Sequence, residues 1–326
     1  MIFLGVDVGG SKTHALLSDE NGQVLGFGIG PGGNPEMVGY DGLSLAMQTA
    51  IKLARKGSGI RLNRIAAAGF GIAGYDWPSQ YADTLQAVQS LGLSGKLVIE
   101  NDAVPPLWAG TTHGWGISAC VGTGNNVRGV DAQGRIGRIT GNSSAFGEYG
   151  GASEIMDVAL QRIAWMWSGR GKRTVLAHIL VEDCRAKGLE DLIEGIVAGR
   201  YELKASHAPL VVAAAEQGDE VAGEVLRWNA EELAKSVLAV ARQLELTDQS
   251  FEVVMSGVLF QVSTLYRQAF IEQMLSGAPQ ADCRLCTAPP VVGAALMAMH
   301  AVHAGGAGIE RAREALSQFS SPSSTG

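Results

Sequence analysis

The feature of this 326-residue chain that most restricts its fold is an internal repeat of glycine-containing hairpins. Residues 7–26 and 120–137 each contain an apolar strand, a Val-Gly loop, a second strand, an Asp-x-x-Gly turn and a third strand that ends in glycine. Such a repeat predicts two domains with the same core, each presenting one glycine loop at the same place. If the two copies face each other, both loops point into one cleft, which favours phosphate binding over two ordinary tight turns.

The first loop, in the stretch Asp7-Val8-Gly9-Gly10-Ser11-Lys12-Thr13, is not a P-loop. A P-loop has glycine immediately before its lysine, where this chain has Ser11. A P-loop also runs into a helix, whereas the residues that follow here read as a hairpin with an Asn21-Gly22 turn. The glycines therefore lie in a strand–turn–strand unit, whose backbone N–H groups could line a phosphate without a helix.

Strands and helices alternate after this first hairpin. Between the two copies the apolar spacing predicts helices over residues 46–56 and 80–91 and strands over residues 64–71 and 96–100. The later pattern is mostly helical, with helices over residues 153–167, 174–187, 189–197, 207–217, 220–244, 291–303 and 309–319, and a strand within residues 251–260 that leads into Ser256-Gly257. The expected fold class is α/β.

Composition narrows the possible partners and location. The net charge of −7 argues against a nucleic acid or an anionic membrane as the main partner. The chain has no apolar run of transmembrane length and no signal-peptide pattern, which predicts a cytoplasmic protein. The four cysteines are too few and too scattered for a disulfide framework, and the Cys283-x-x-Cys286 pair has no second pair or histidine nearby.

A dinucleotide-binding reading is a weaker alternative. Residues 69–74 match G-x-G-x-x-G, and Glu100 stands about where a ribose-binding acid belongs. However, residues 75–78 delay the next helix and leave these glycines away from its N-terminus. A nicotinamide or flavin enzyme would also leave both hairpin loops unexplained.

Five short motifs occur in order along the chain and together resemble a known superfamily. They are residues 7–13, Asn101-Asp102, Gly122-Thr123-Gly124-Asn125-Asn126, Ser256-Gly257-Val258 and Pro290…Gly293-Ala294-Ala295. They are similar to the phosphate-1, connect-1, phosphate-2, adenosine and connect-2 motifs of the actin-like ATPase and sugar-kinase superfamily. Within it the chain most resembles, over nearly its whole length, the N-acetylglucosamine kinase and BadF/BadG/BcrA/BcrD ATPase family.

This resemblance implies two RNase H-like domains around a nucleotide cleft, the second with a large helical insertion. Residues 1–112 would form the first domain on the substrate side, and residues 113–290 the second domain on the nucleotide side. The helices within residues 291–319 would pack back on the first domain. The implied function is an ATP-dependent kinase that phosphorylates a hydroxyl of an amino sugar, with N-acetylglucosamine or glucosamine favoured.

The resemblance also implies roles for individual residues. ATP would be held by Gly9, Gly10, Ser11, Lys12, Thr13, Gly122, Thr123, Gly124, Asn125, Gly257 and Val258. The missing side chains of the loop glycines let the backbone approach the phosphates. Asp7 would hold Mg²⁺ through water, although it could also be a plain turn cap. The sugar would contact Asn34, Asn101, Asp102, Asn126 and Glu148.

Asp102 is the candidate catalytic base. It follows the strand over residues 96–100 at its carboxyl end, where the sites of α/β proteins lie. There it would accept the proton of the sugar hydroxyl that attacks the γ-phosphate. The alternative is that Asn101-Asp102 only caps the helix that follows.

The chain departs from the family pattern after the second hairpin. Family sugar kinases usually read Gly-Trp-Gly…Gly-Asp-Glu-Gly-Ser. Here Asn142 replaces the tryptophan, Glu148 replaces the aspartate, and Tyr149-Gly150-Gly151 replaces Glu-Gly-Ser. The departures leave the nucleotide motifs intact and leave the identity of the sugar open.

Two other function classes stay open. A BadF-type activator couples ATP hydrolysis to electron transfer through an iron–sulfur cluster that bridges a dimer, and Cys120 adjoins the second glycine loop. A sugar-sensing ATPase would bind both ligands without transferring phosphate. Whether the chain forms a homodimer is also open.

Overall fold

The computed structural model describes residues 1–302 and 307–319. Its strands are β1 (Ile2–Val8), β2 (Lys12–Asp19), β3 (Val24–Pro31), β4 (Ile65–Ile72), β5 (Lys96–Asn101), β6 (Gly116–Val121), β7 (Asn125–Val130), β8 (Ile136–Arg138), β9 (Phe251–Ser256) and β10 (Ala281–Cys286). Its α-helices are α1 (Pro35–Ala54), α2 (Tyr81–Gln89), α3 (Val104–Gly110), α4 (Ala152–Trp167), α5 (Leu176–Asp183), α6 (Leu189–Val197), α7 (Ala208–Glu216), α8 (Glu220–Gln243), α9 (Val258–Val262), α10 (Thr264–Gly277), α11 (Pro290–Val302) and α12 (Ala307–Ser317).

The strands form two five-stranded sheets of the same design. The first has the order β3-β2-β1-β4-β5 and the second the order β8-β7-β6-β9-β10. In each sheet the first three strands form an antiparallel meander, and the last two run parallel to the first. The hairpin repeat predicted from the glycine pattern is therefore confirmed, and so is the α/β fold class with two matching domains.

The connections differ between the two copies. The link from β3 to β4 contains α1, whereas the equivalent link from β8 to β9 contains α4 to α8. Apolar residues from these helices form the main core of the second half, together with strand residues such as Ile117 and Val253. The chain between the second hairpin and its parallel strands is thus mostly helical, as the sequence predicted.

The helix after the second sheet returns to the first one. Buried Val291 and Ala295 of α11 pack in one cluster with Phe3 of β1 and Ala67 of β4. On the other side, Leu107 of α3 packs against Val254 of β9. Helix α3 of the first half therefore packs on the second sheet, and helix α11, which follows the second sheet, packs on the first. The boundary at residues 112 and 113 stays a prediction.

The main differences from the predicted elements concern α1, α10 and the end of β9. Helix α1 begins at Pro35 rather than at residue 46, because Asn34 caps it and Pro35 suits a first turn, and a kink at Gly39 with a φ of 69° masks its periodicity. Helix α10 has no counterpart among the predicted elements. Strand β9 ends at Ser256, since Gly257 turns the chain directly into α9. The predicted end of α11, residue 303, lies outside the described residues.

Within residues 1–302 and 307–319, no helix combines the length and the apolar character that a membrane span requires.

Candidate active site

Two exposed glycine loops occupy equivalent positions in the two sheets. The β1–β2 turn is closed by a 2.9 Å hydrogen bond from the Gly9 N–H to the Lys12 carbonyl, and the β6–β7 turn by a 2.9 Å bond from the Gly122 N–H to the Gly124 carbonyl. Gly10 and Ser11 are exposed in the first loop, as are Gly122 and Thr123 in the second. Backbone N–H groups in such turns form concave anion sites.

Each loop rests on backbone that only glycine allows. A Cβ at Gly32 would overlap the carbonyl oxygen of Gly10, and a Cβ at Gly151 would overlap the backbone of Gly124. The loops are also tied by hydrogen bonds from the Gly33 N–H to the Gly9 carbonyl at 3.0 Å and from Ser153 to Thr123 at 2.8 Å. The two loops are therefore held in fixed positions before any ligand arrives.

The carboxyl ends of the parallel strands bring several acids together. Asp7 is the penultimate residue of β1 and is 15% exposed, and Asp102 follows β5 and is half-buried. Burial, and after it the negative charges of Asp7 and Asp76, raise the pKa of Asp102 to about 7, although the Arg128 guanidinium opposes the shift. A carboxyl group that titrates near neutrality is suited to accept a proton in a reaction at physiological pH.

Asp102 is not the cap of the next helix. The N-cap residue of α3 is Ala103, which has helical backbone angles and no side-chain capping bond. The carboxamide of Asn101, not the carboxylate of Asp102, accepts a hydrogen bond from the Ala103 N–H, at 3.0 Å. The local helix therefore does not account for the carboxylate at position 102.

Asp76 is a buried acid that the sequence reasoning missed. Its Oδ1 accepts hydrogen bonds from Arg128 Nη2 at 2.6 Å, from Asn101 Nδ2 at 3.1 Å and from Asn126 Nδ2 at 3.2 Å. Arg138 also donates to the Asp76 backbone carbonyl. Asp76 follows β4 of the first sheet, whereas Asn126 and Arg128 lie in β7 of the second. This acid therefore joins the two halves at the predicted sugar contacts.

One signal could have pointed to Asp76. Like Asp102, it comes just after the carboxyl end of a strand that was predicted correctly. In the sequence, the stretch Tyr75-Asp76-Trp77-Pro78 indicates only a delay before the next helix. The glycines of that G-x-G-x-x-G match, Gly69 and Gly71, lie inside β4 rather than at a helix N-terminus.

Two further predicted sugar contacts, like Asn101 and Asn126, already have structural hydrogen bonds. Asn34 caps α1 through a 2.9 Å bond from the Glu36 N–H to its Oδ1. Glu148, only 7% exposed, accepts bonds from the N–H groups of Thr140 at 2.7 Å, Gly141 at 2.9 Å and Asn142 at 3.0 Å. Glu148 thus shapes the loop over residues 140–142.

The second glycine loop borders a cavity of about 640 Å³. Its lining is mainly apolar and comes from the loop, α7 and α9: Val121, Gly122, Thr123, Ala152, Ala205, Ser206, Ala208, Pro209, Val212, Ala213, Glu216, Val258, Leu259 and Val262. Gly257, at the edge of this region, has a φ of 123°, and a Cβ there would overlap the Val121 carbonyl oxygen. The cavity is large and apolar enough for an adenine base next to the loop.

A second cavity of about 470 Å³ borders Asp76 and Asn101. Tyr75, Trp77 and Tyr81 line its first-sheet side, and the Arg138 guanidinium lies 4.4 Å from the centre of the Trp77 ring. Buried Asp76 is therefore within reach of a small molecule from this side as well.

The cysteines do not form an obvious redox site. All four are free, and burial raises the pKa of each thiol. Cys120 lies within hydrogen-bonding distance, 3.2 Å, of the Ser118 hydroxyl. Cys283 packs against the main core of the second half and Cys286 against Leu107 and Val254, so this pair is divided between two faces of β10.

Comparison with known proteins identifies the family. The model of the BadF/BadG/BcrA/BcrD ATPase family matches residues 4–298. The chain belongs to this family. The resemblance inferred from the five motifs is therefore confirmed.

Two relatives of this chain have the names of kinases. The N-acetyl-D-glucosamine kinase of Dictyostelium discoideum is 27% identical over 312 residues, which cover 92% of this chain and 98% of the relative. The N-acetylmuramic acid/N-acetylglucosamine kinase of Clostridium acetobutylicum is 30% identical over 268 residues, 81% of this chain and 87% of the relative.

Solved structures show the same fold. A protein of Chromobacterium violaceum described as a proposed N-acetylglucosamine kinase aligns with a TM-score of 0.66 at 20% identity, covering 91% of this chain and 98% of that one. The ROK family glucokinase from Streptomyces griseus, solved with glucose and AMPPNP, aligns with a TM-score of 0.59 at 21% identity, covering 91% and 99%. These likenesses establish the sugar-kinase type of fold for this chain.

Proposed function

We propose that this protein is an ATP-dependent carbohydrate kinase that phosphorylates a hydroxyl of an amino sugar, with N-acetylglucosamine or glucosamine as the favoured acceptor. The observation that carries the proposal is the position of Asp102, which follows β5 in the sheet whose strand β1 leads into the first glycine loop. There burial and the charges of Asp7 and Asp76 raise its pKa to about 7. The names of the relatives from Dictyostelium discoideum and Clostridium acetobutylicum support the same class of reaction.

The nucleotide would bind on the side of the second loop. The adenine would occupy the cavity beside Gly257 and Val258, and the phosphates would lie between Gly9–Ser11 and Gly122–Gly124, with Thr13 and Asn125 at the strand ends behind the loops. The loop N–H groups that do not close the two turns would donate hydrogen bonds to phosphate oxygens from both sides, and the exposed Lys12 would add a positive charge.

Asp7 fits a magnesium ion. It is a partly exposed oxygen donor beside the first loop, and the charges of Asp7 and Asp76 raise the pKa of Asp102, which indicates excess negative charge there. Mg²⁺ prefers oxygen ligands and keeps several waters, so Asp7 would hold it through water. When bound, the ion would balance the charge of the phosphates.

Asp102 would act as general base. The sugar hydroxyl oxygen forms a bond to the γ-phosphorus, the bond from that phosphorus to the β–γ bridging oxygen breaks, and ADP leaves. The hydroxyl proton passes to the Asp102 carboxylate. Asn34, Asn101, Asn126 and Glu148 would orient the sugar, Glu148 by shaping the loop over residues 140–142. The cytoplasm as location and a homodimer as assembly remain proposals.

The test is a screen of amino sugars and hexoses by ADP release, with the phosphorylated position located by phosphorus NMR. We expect ADP release that depends on an amino sugar, with one sugar phosphate formed per ADP. ATP hydrolysis that ignores every sugar and yields no sugar phosphate would favour an activator or a sensor instead.

A further inference from the structure

Three side chains of types that can ligate a metal ion lie close together at the edge of the helical part of the second half. Asp183 and Cys184 end α5, and His207 lies in the short 3₁₀ segment Ala205–His207 before α7. One ligand atom from each of the three lies within 4.8 Å of the other two, and His207 Nε2 is 3.3 Å from Asp183 Oδ2. Within the described part of the chain this is the one such group of three.

The spacing is close to what a zinc ion needs. Tetrahedral zinc with ordinary bond lengths separates a nitrogen from an oxygen or a sulfur ligand by roughly 3.3–3.6 Å. The imidazole and the carboxylate already stand at that separation, and the Cys184 sulfur lies within 4.8 Å of both, so a rotamer change of Cys184 would close the set. The donor types, one thiolate, one imidazole and one carboxylate, suit zinc among the common divalent ions.

The imidazole of His207 is held in a suitable orientation. Its Nδ1 accepts a hydrogen bond from the Lys204 N–H at 2.9 Å and lies 3.0 Å from the Lys204 carbonyl oxygen. A ring that moves its proton to Nδ1 donates to that carbonyl instead and leaves Nε2 free to bind a metal. Zinc-binding histidines commonly donate their other ring N–H to a backbone carbonyl in this way. Asp183 is 43% exposed and His207 18%, so an ion and a water as fourth ligand can reach the site from solvent.

We propose that Asp183, Cys184 and His207 form a zinc site that ties the end of α5 to the start of α7. Zinc binding displaces the thiol proton of Cys184 to solvent and leaves the fourth position to water. The residues on either side of His207, namely Ala205, Ser206, Ala208 and Pro209, line the 640 Å³ cavity. The site therefore stabilises one wall of that cavity whatever ligand the cavity takes.

The test uses the purified full chain, freed of metal, with zinc or cobalt alone and no nucleotide or sugar. Zinc affinity is measured by competition with a chromophoric chelator, and thermal unfolding is followed with and without zinc. Cys184→Ser and His207→Gln each remove one ligand. His178→Gln is the matched control, because His178 pairs with Glu182 at 3.2 Å on the same helix but has no thiol beside it.

The wild type and the His178→Gln variant should bind one zinc ion and unfold at a higher temperature with it. Cys184→Ser and His207→Gln should bind at least about tenfold more weakly. Cobalt should give a thiolate charge-transfer band that Cys184→Ser lacks. Equal zinc affinity in wild type and Cys184→Ser, or a cobalt spectrum without the thiolate band, would overturn the proposal.

Discussion

Asp76 and Arg128 form a buried ion pair, 2.6 Å from carboxylate to guanidinium, that joins the two halves of the molecule. Their side chains are only 8% and 4% exposed. Removing one partner of such a pair leaves a buried charge without compensation, and this is usually strongly destabilising.

We therefore expect Asp76→Ala to lower the free energy of unfolding by about 3–5 kcal/mol, measured by urea denaturation at neutral pH. The matched control is Asp282→Ala, which removes an exposed pair of similar length, 2.7 Å, between Asp282 and Arg284. That change should cost about 1 kcal/mol or less. Similar losses in the two variants would show that the Asp76–Arg128 pair does not stabilise the join between the halves.

Gly257 is predicted to be essential for the wall of the nucleotide cavity. Its φ of 123° is unfavourable for other residues, and a Cβ would overlap the Val121 carbonyl oxygen. Gly257→Ala should lower the melting temperature and weaken ATP binding, as seen by calorimetry. In Gly223→Ala on helix α8, by contrast, the new methyl would meet only a side-chain carbon of Leu265 in α10, 3.7 Å away, and the change should stabilise the protein by about 0.5–1 kcal/mol. A Gly257→Ala protein as stable as the wild type would contradict this role.

Glu148 is expected to set the relative preference among sugars. Aspartate is shorter by about one C–C bond, so it cannot hold all three N–H groups of residues 140–142 in place. Glu148→Asp should change the ratios of kcat/KM among sugars and leave the KM for ATP nearly unchanged. If every sugar shifted by the same factor, the loop would have no part in selectivity.

The raised pKa of Asp102 has a consequence for stability. The folded protein keeps a proton on this carboxyl up to a pH of about 7, whereas the unfolded chain releases it at about 4. The folded state binds more protons in this interval, so the contribution of Asp102 to stability falls as the pH rises from about 4 through about 7. Asp102→Asn removes this loss. The melting temperature of Asp102→Asn minus that of the wild type should rise from about pH 4 to about pH 7 and level off above it. A difference that stays constant between pH 4 and pH 8 would argue against the raised pKa.

The hairpin repeat could be predicted from the sequence because each copy is formed by residues close together along the chain. Glycine turns, apolar alternation and the Asp-x-x-Gly turns lie within each hairpin, so the two sheets and both loops could be predicted. The position of Asp102 at the end of β5 followed from the same local pattern. Helix α1 was placed too late because its start depends on the Asn34 cap and its kink at Gly39, which interrupt the helical spacing.

The role of Asp76 could not be predicted in that way. Its partners Asn101, Asn126 and Arg128 lie 25, 50 and 52 positions away along the chain, and they meet only when the two sheets are assembled. The sequence offered the pair Asn101-Asp102 as a cap, but which of the two accepts the Ala103 N–H depends on side-chain orientation, which spacing does not fix. The same is true of the three bonds to Glu148. The contacts of Asp76 between the two halves were thus the part of the site that could not be predicted from the sequence.

The central claim is that Asp102 accepts the proton from the sugar hydroxyl, and the Asp102→Asn variant tests it most directly. The measurement is sugar-dependent ADP release by the wild type and the variant, over a range of pH, with the product followed by phosphorus NMR. For the wild type kcat/KM should rise with pH through about 7, as the Asp102 carboxyl loses its proton. The variant should lose about 10²–10⁴-fold in kcat while it still binds ATP. A variant that keeps most of the wild-type turnover would contradict the assignment of Asp102 as the base.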